Sequence, residues 1–179
     1  MPRIAPLEPP YVDDVQQSFD AIMQGAPPLM LFRTIASSER SWRKFRAGSL
    51  LDRGPLGLRE RELVIDRTCA LAGNEYEWGV HVTTFAATAG LTPEEVAATA
   101  AEGSAAPLWT EAERALLATA EALHARAALT DAEFAALRAH YDEAQVLEVL
   151  LLCGFYRMVS YVVGGLDLPL EPGAARFAT

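Results

Sequence analysis

Glu62 and His81 stand 19 positions apart, and the segment Asn74-Glu-Tyr-Glu77-Trp-Gly-Val-His81 puts an amide, a carboxylate and an imidazole at helical spacing. At 3.6 residues per turn, Asn74, Glu77, Trp78 and His81 fall on one stripe. Imidazole changes charge near pH 6.5, and a neighbouring carboxylate orients it or favours its charged form, so a glutamate–histidine pair is a unit for proton transfer. His81 is therefore the candidate general acid or base. Glu62 and Glu77 are the candidates for orienting it or sharing its proton, and Asn74 for donating to a substrate oxygen. Tyr76, Trp78 and Phe85 are candidates for an apolar wall beside the substrate. Glu62 lies on a face with Leu58, Ile65, Cys69 and Gly73, and an acid in an apolar stripe must find a partner or shift its pKa. The partner expected for it is His81.

The same residues admit plainer readings. Glu77 and His81, four apart, also fit an ordinary surface pair, and Glu62 has Arg59, Arg61 and Asp66 as alternative partners. Glu62, Asp66, Glu77 and His81 have the side-chain types of a carboxylate and imidazole metal site. Such bundle sites use paired Glu-x-x-His motifs, whereas this chain has one Glu-x-x-x-His, so no metal is expected. His124 and His140 sit in alanine-rich helices with no matching ligands nearby. The two cysteines, Cys69 and Cys153, form no C-x-x-C pair. Cys69, two turns after Glu62, leaves a single-cysteine peroxide-reactive site open, although its helical surroundings suit a small apolar side chain better than a low-pKa thiol.

The elements that must position these groups are helical. Half of the 179 residues are hydrophobic, and runs with strand-like alternation are scarce, which predicts an all-α fold. Residues 1–11 form a proline-rich arm, with Pro2, Pro6, Pro9 and Pro10, and residues 12–179 form one domain. A first helix is predicted from Val12 to Gly25, and a second helical region from Leu29 to Leu50, broken around Ser37-Ser38. Another runs from about Gly57 to Ala72, ends at Gly73-Asn74, and is followed at once by a helix reaching Gly90. Thr92, Thr110 and Thr130 each precede a glutamate by three residues, the spacing of a capping box. The last helix, about Glu143 to Gly165, is apolar on nearly every face and needs cover on all sides, which predicts a homo-oligomer.

A net charge of -9 opposes broad affinity for nucleic acid, and no nucleic-acid partner is expected. Basic residues are nevertheless concentrated between Arg33 and Arg67, nine against five acidic ones. That concentration fits a solvated or subunit-bridging face, or a mouth that attracts a small anion. Glu148 and Arg157 interrupt the apolar stretch Val146 to Leu166, making it a poor bilayer span, so no membrane partner is expected. The N-terminal sequence lacks the pattern of a secretory signal, and a cytoplasmic location is the expectation.

The segment Leu58-Arg-Glu-Arg-Glu62-Leu-Val-Ile, through Asn74-Glu-Tyr-Glu77-Trp-Gly-Val-His81, to Ala89-Gly-Leu-Thr-Pro-Glu-Glu95 resembles the carboxymuconolactone decarboxylase and alkylhydroperoxidase D superfamily. The resemblance is clearest over residues 50–100. It implies an all-α bundle assembling as dimers, trimers or hexamers. In the alkylhydroperoxidase branch a glutamate precedes a C-x-x-C pair and a histidine. Aligned on Glu62 and His81, the cysteine positions hold Asn74 and Glu77, so the two-thiol peroxidase cycle has no sulfur there. Only Glu62 and His81 match that branch's proton-relay residues.

The decarboxylase branch works without redox cysteines. It implies a lyase that uses no cofactor and acts on a small organic acid or lactone by decarboxylation, isomerisation or hydrolysis. Two alternatives remain open: a peroxiredoxin-type activity using Cys69, and a non-catalytic helical oligomer that binds a ligand or partner.

Overall fold

In the computed structural model, which describes residues 2–178, a capping side chain opens six of the nine α-helices. Helices α1 (Asp13–Met23), α2 (Met30–Ile35) and α3 (Glu39–Ala47) precede α4 (Leu58–Leu71) and α5 (Glu75–Phe85). Then come α6 (Pro93–Ala100), a 3-10 turn at Gly103–Ala105, α7 (Glu111–Arg126), α8 (Asp131–Arg138) and α9 (Glu143–Leu166). The break expected near Ser37-Ser38 is real, and the Ser38 hydroxyl caps α3 by accepting from the Ser41 N–H at 3.3 Å.

All three threonine boxes form, at the starts of α6, α7 and α8. Asp142 and Gln145 add a fourth, which the threonine pattern did not mark. Because each cap satisfies N–H groups that the first helical turn leaves without partners, Thr110→Ala is expected to cost about 1 kcal/mol. Urea unfolding measures this, and an unchanged midpoint would mean that the box contributes nothing.

The helix α4 is the axle of the fold, packing against α5, α6, α7 and α9. Every residue from Arg61 to Cys69 is buried, charged ones included, so polar side chains there depend on the protein rather than on solvent for any partner. Val64, Ile65 and Cys69 join Leu31, Trp42, Leu152, Tyr156 and Val159 in one core. Leu63 points instead into a second, smaller cluster with Trp109, Leu117 and Ala98. Gly73 takes φ +66°, a left-handed conformation that glycine adopts without steric cost, and it turns the chain sharply into α5.

Both chain ends lie against this core. In the arm, the Arg3 and Leu7 N–H groups donate to the Leu166 and Arg33 carbonyls at 2.8 and 3.1 Å. The tail after α9 returns across α5, where the Ala175 N–H donates to Thr83 Oγ1 at 2.8 Å and the Phe177 N–H to Glu75 Oε1 at 2.9 Å. A Cβ at Gly79 would stand 2.3 Å from the Ala175 carbonyl oxygen, so this close approach requires glycine.

Helix α9 has the length and composition of a membrane span, yet one side of it (Val146, Val149, Leu152, Tyr156, Val159 and Val163) is buried in the core. Its opposite side leaves Leu147, Leu151 and Tyr161 about 60% exposed or more.

Candidate active site

The turn at Gly73 lays α5 against α4 and brings the two halves of the acid–base pair together. Glu62 Oε2 lies 2.7 Å from His81 Nδ1, and neither residue is more than 3% exposed. On the other side of the ring, Glu77 Oε1 is 3.6 Å from Nε2, an ion contact longer than a hydrogen bond. The imidazole therefore sits between two carboxylates. Arg61 completes the row: its Nε donates to Glu62 Oε1 at 2.9 Å, and its Nη1 donates to the Leu51 carbonyl at 3.0 Å.

Aromatic rings hold the row in place. Tyr156, from α9, meets the His81 ring edge-on at 4.9 Å, and Phe85 lies 5.3 Å from it on α5. The Arg61 guanidinium covers the Phe85 ring at 5.4 Å, a cation–π contact. Phe85 is half-buried, more exposed than Arg61, Glu62, Glu77, His81 and Tyr156, all of which are buried.

Burial alone would push the His81 imidazole down. The hydrogen bond to Glu62, the contact with Glu77 and the charges of both carboxylates overcome that penalty and raise its pKa to about 10. His81 is thus a cation at neutral pH, with protons on both nitrogens. Glu77 Oε2 is buried and no protein donor reaches it, leaving one acceptor oxygen beside the imidazolium.

Three of the proposed substrate contacts are employed elsewhere. Asn74 is the N-cap of α5: its Oδ1 accepts from the Glu77 N–H at 3.1 Å, and its Nδ2 donates to Ser160 Oγ at 3.0 Å. It fixes α5 to α9, and the expected donor to a substrate oxygen is already committed to Ser160. The Tyr76 hydroxyl accepts from the Leu31 N–H at 3.0 Å and bonds to Glu171, tying α5 to α2 and the tail. Trp78 turns toward α6, with Nε1 donating to Thr99 Oγ1 at 3.0 Å and the ring 4.9 Å from Phe177. Of the four residues expected to contact substrate, only Phe85 faces His81.

Two participants stood outside the candidates for chemistry: Arg61, weighed only as an alternative partner of Glu62, and Tyr156. Arg61 is hard to assign because consecutive helical side chains diverge by about 100°, and only a long, flexible guanidinium stem can bend back to its neighbour. Tyr156 is hidden in the apolar run of α9 and becomes visible only once α9 packs on α4. The other basic residues given partners in this stretch have structural work. Arg59 joins Glu95 and Glu113, Arg67 joins Glu121, and Arg33 joins Glu8.

Cys69 is fully buried, and burial above all, with the nearby carboxylates Glu77 and Glu62 adding to it, holds its thiol well above the ordinary range. Burial likewise pushes Cys153 up to about 11. Both are thiols at neutral pH, the reverse of what a peroxide-attacking cysteine requires. Among the described residues, no group of three or more His, Cys, Asp or Glu has the geometry to hold a metal ion.

Residues 37–122 match the carboxymuconolactone decarboxylase family. Among solved structures, a peroxidase-related protein from a Silicibacter species is similar at 18% identity, covering 94% of this chain and 91% of its own, with a TM-score of 0.82. The debrominase Bmp8 gives 20% identity, 94% and 92% coverage, and a TM-score of 0.75. The alkylhydroperoxidase AhpD core of a peroxidase-related protein from Ralstonia eutropha gives 18%, 96% and 93%, and 0.75. Identities this low establish a shared fold and leave the chemistry open. No curated protein sequence matches the chain.

Proposed function

We propose that this chain, whose residues 37–122 match the carboxymuconolactone decarboxylase family and whose fold is similar to that of alkylhydroperoxidase D-like structures, is a decarboxylase-like lyase moving protons on a small anionic organic acid or lactone. The observation that carries this reading is the buried row Arg61, Glu62, His81 and Glu77, in which a cationic imidazole lies beside a carboxylate oxygen with no protein donor. Such a site offers an acid and a base side by side at neutral pH. In a decarboxylation, the C–C bond to the leaving carbon dioxide breaks, and the electron pair left on carbon takes the proton from His81 Nε2. Solvent then returns a proton to that nitrogen. Glu62, held by Arg61, keeps the ring oriented and stabilises its charge throughout.

Arg61 supplies the positive charge that an anionic substrate would meet at this row. Self-association belongs to the same proposal, supported by the exposed apolar side chains Leu147, Leu151 and Tyr161 of α9.

One observation favours a second, non-catalytic reading. Glu62, His81 and Glu77 are all less than 10% exposed, as expected of a polar tie between two helices. Carbon dioxide release and ring opening across a panel of β-keto acids and carboxylated lactones separates the two readings. Turnover that falls about a hundredfold or more in His81→Gln and in Glu77→Gln supports the enzyme. Absence of turnover across the panel, with the variants altering only thermal stability, assigns the row to structure.

A further inference from the structure

Asp66 lies one helical turn after Glu62 on α4, is 1% exposed, and receives a hydrogen bond from no protein donor at either carboxylate oxygen. It sits in the middle of its helix, where the backbone N–H groups are engaged within the helix and the favourable field of a helix N-terminus does not reach. An ionised carboxylate in that position would bear the desolvation penalty with no hydrogen bond to offset it.

The charges around Asp66 explain why none has been assigned to it. On its own helix it neighbours Glu62 and the neutral thiol of Cys69, and α5 presents His81 and Glu77 to the same cluster. From α9 come the un-ionised Tyr156, against His81, and Cys153, against Thr68. The cations that meet α6 and α7 from α4, Arg59 and Arg67, are occupied by Glu95, Glu113 and Glu121. Within the cluster, the two cations Arg61 and His81 already balance the two carboxylates Glu62 and Glu77.

We propose that Asp66 is held as an un-ionised carboxylic acid in the resting protein, storing a second proton behind the Glu62–His81 pair and acting on catalysis as a positioning residue through His81. This rests on the acid–base reading above. Burial, the dominant influence, outweighs the His81 charge and keeps the Asp66 carboxyl protonated well above the usual carboxylate range, with Glu62 adding in the same direction. A third negative charge here would hold the imidazolium proton more tightly and make His81 a weaker acid. The neutral form of Asp66 keeps that proton available.

The test needs no substrate, so its outcome is independent of whether the enzymatic reading stands. Carbon-13 labelling at the aspartate side-chain carboxyl of the full chain gives eight resonances, and Asp66 is the one buried aspartate among them. The eighth, that of Asp66, is expected to keep the shift of a protonated carboxyl through neutral pH. Asp66→Asn, which keeps the shape and neutrality of the acid, removes the eighth resonance and leaves the nitrogen-15 shifts of His81 at neutral pH unmoved. An Asp66 carboxyl that loses its proton in acid overturns the proposal. So does a lowered His81 titration midpoint in Asp66→Asn, because that substitution would then have removed a charge. If the asparagine chain does not fold, the unmodified protein's titration decides alone.

Discussion

Replacing Glu62 with alanine is expected to lower the unfolding free energy by about 3–5 kcal/mol, the usual cost of removing one partner from a buried ion pair. Glu62 receives Arg61 on one oxygen and His81 on the other, and all three residues are less than 10% exposed. Its loss leaves a guanidinium and an imidazolium facing each other in a volume that water does not readily enter. His81 must then give up its proton or leave the core. Glu62→Gln keeps the volume and one acceptor, so it is expected to cost less than alanine while still discharging the imidazole. Denaturant unfolding at neutral pH, with the His81 nitrogen-15 shifts as a second reading, checks both effects. A loss below about 1 kcal/mol, typical of solvent-exposed pairs, would mean that the row is not a coupled electrostatic unit.

That row was partly legible in the sequence, and where legibility stopped has a physical explanation. Glu62, Glu77 and His81 were readable because a carboxylate inside an apolar helical face must meet a partner, and the turn at Gly73-Asn74 allows the next helix to supply one. The capping boxes were readable because they are satisfied within four residues, whatever the rest of the chain does. The direction of Asn74, Tyr76 and Trp78 was not local in that sense. A helical stripe says which side chains are neighbours on one cylinder, but the partners that claimed these three were Ser160, Glu171, Thr99 and Phe177.

Tyr76 and Glu171 are 95 positions apart, a pairing that only the folded tail creates. Tyr156 was obscured for the opposite reason. In a helix apolar on all sides, periodicity does not single out a face, and the packing of α9 on α4 selects the ring that touches His81. The cover expected on every side of α9 is present on one side, and Leu147, Leu151 and Tyr161 stay exposed on the other.

Stability is expected to fall steeply as the pH rises from neutral to about 10, and His81 is the main cause. Its ordinary value is 6.5, and the folded environment raises it to about 10, so between those limits the folded chain keeps a proton that the unfolded chain has released. Stability from this group is therefore complete below pH 6.5 and is lost as the pH passes through 10. The shift corresponds to a contribution on the order of several kcal/mol. Other groups slope the same way: Asp66 from about pH 4 upward, and Cys69 and Cys153 from about pH 8.5, each being protonated more tightly in the folded state.

Glu95, held down by Arg59, and Glu113, held down by the same arginine against its own burial, act in acid, where stability is lost as the pH falls. Maximum stability should then lie on the acid side of neutral. Thermal unfolding from pH 5 to 10 in the unmodified chain and in His81→Gln isolates the imidazole: the glutamine chain should be less stable near pH 6, with a visibly flatter slope above pH 7. Parallel profiles would show that His81 is not the proton lost, and a level profile in the unmodified chain would remove the charged imidazole on which the acid–base site depends.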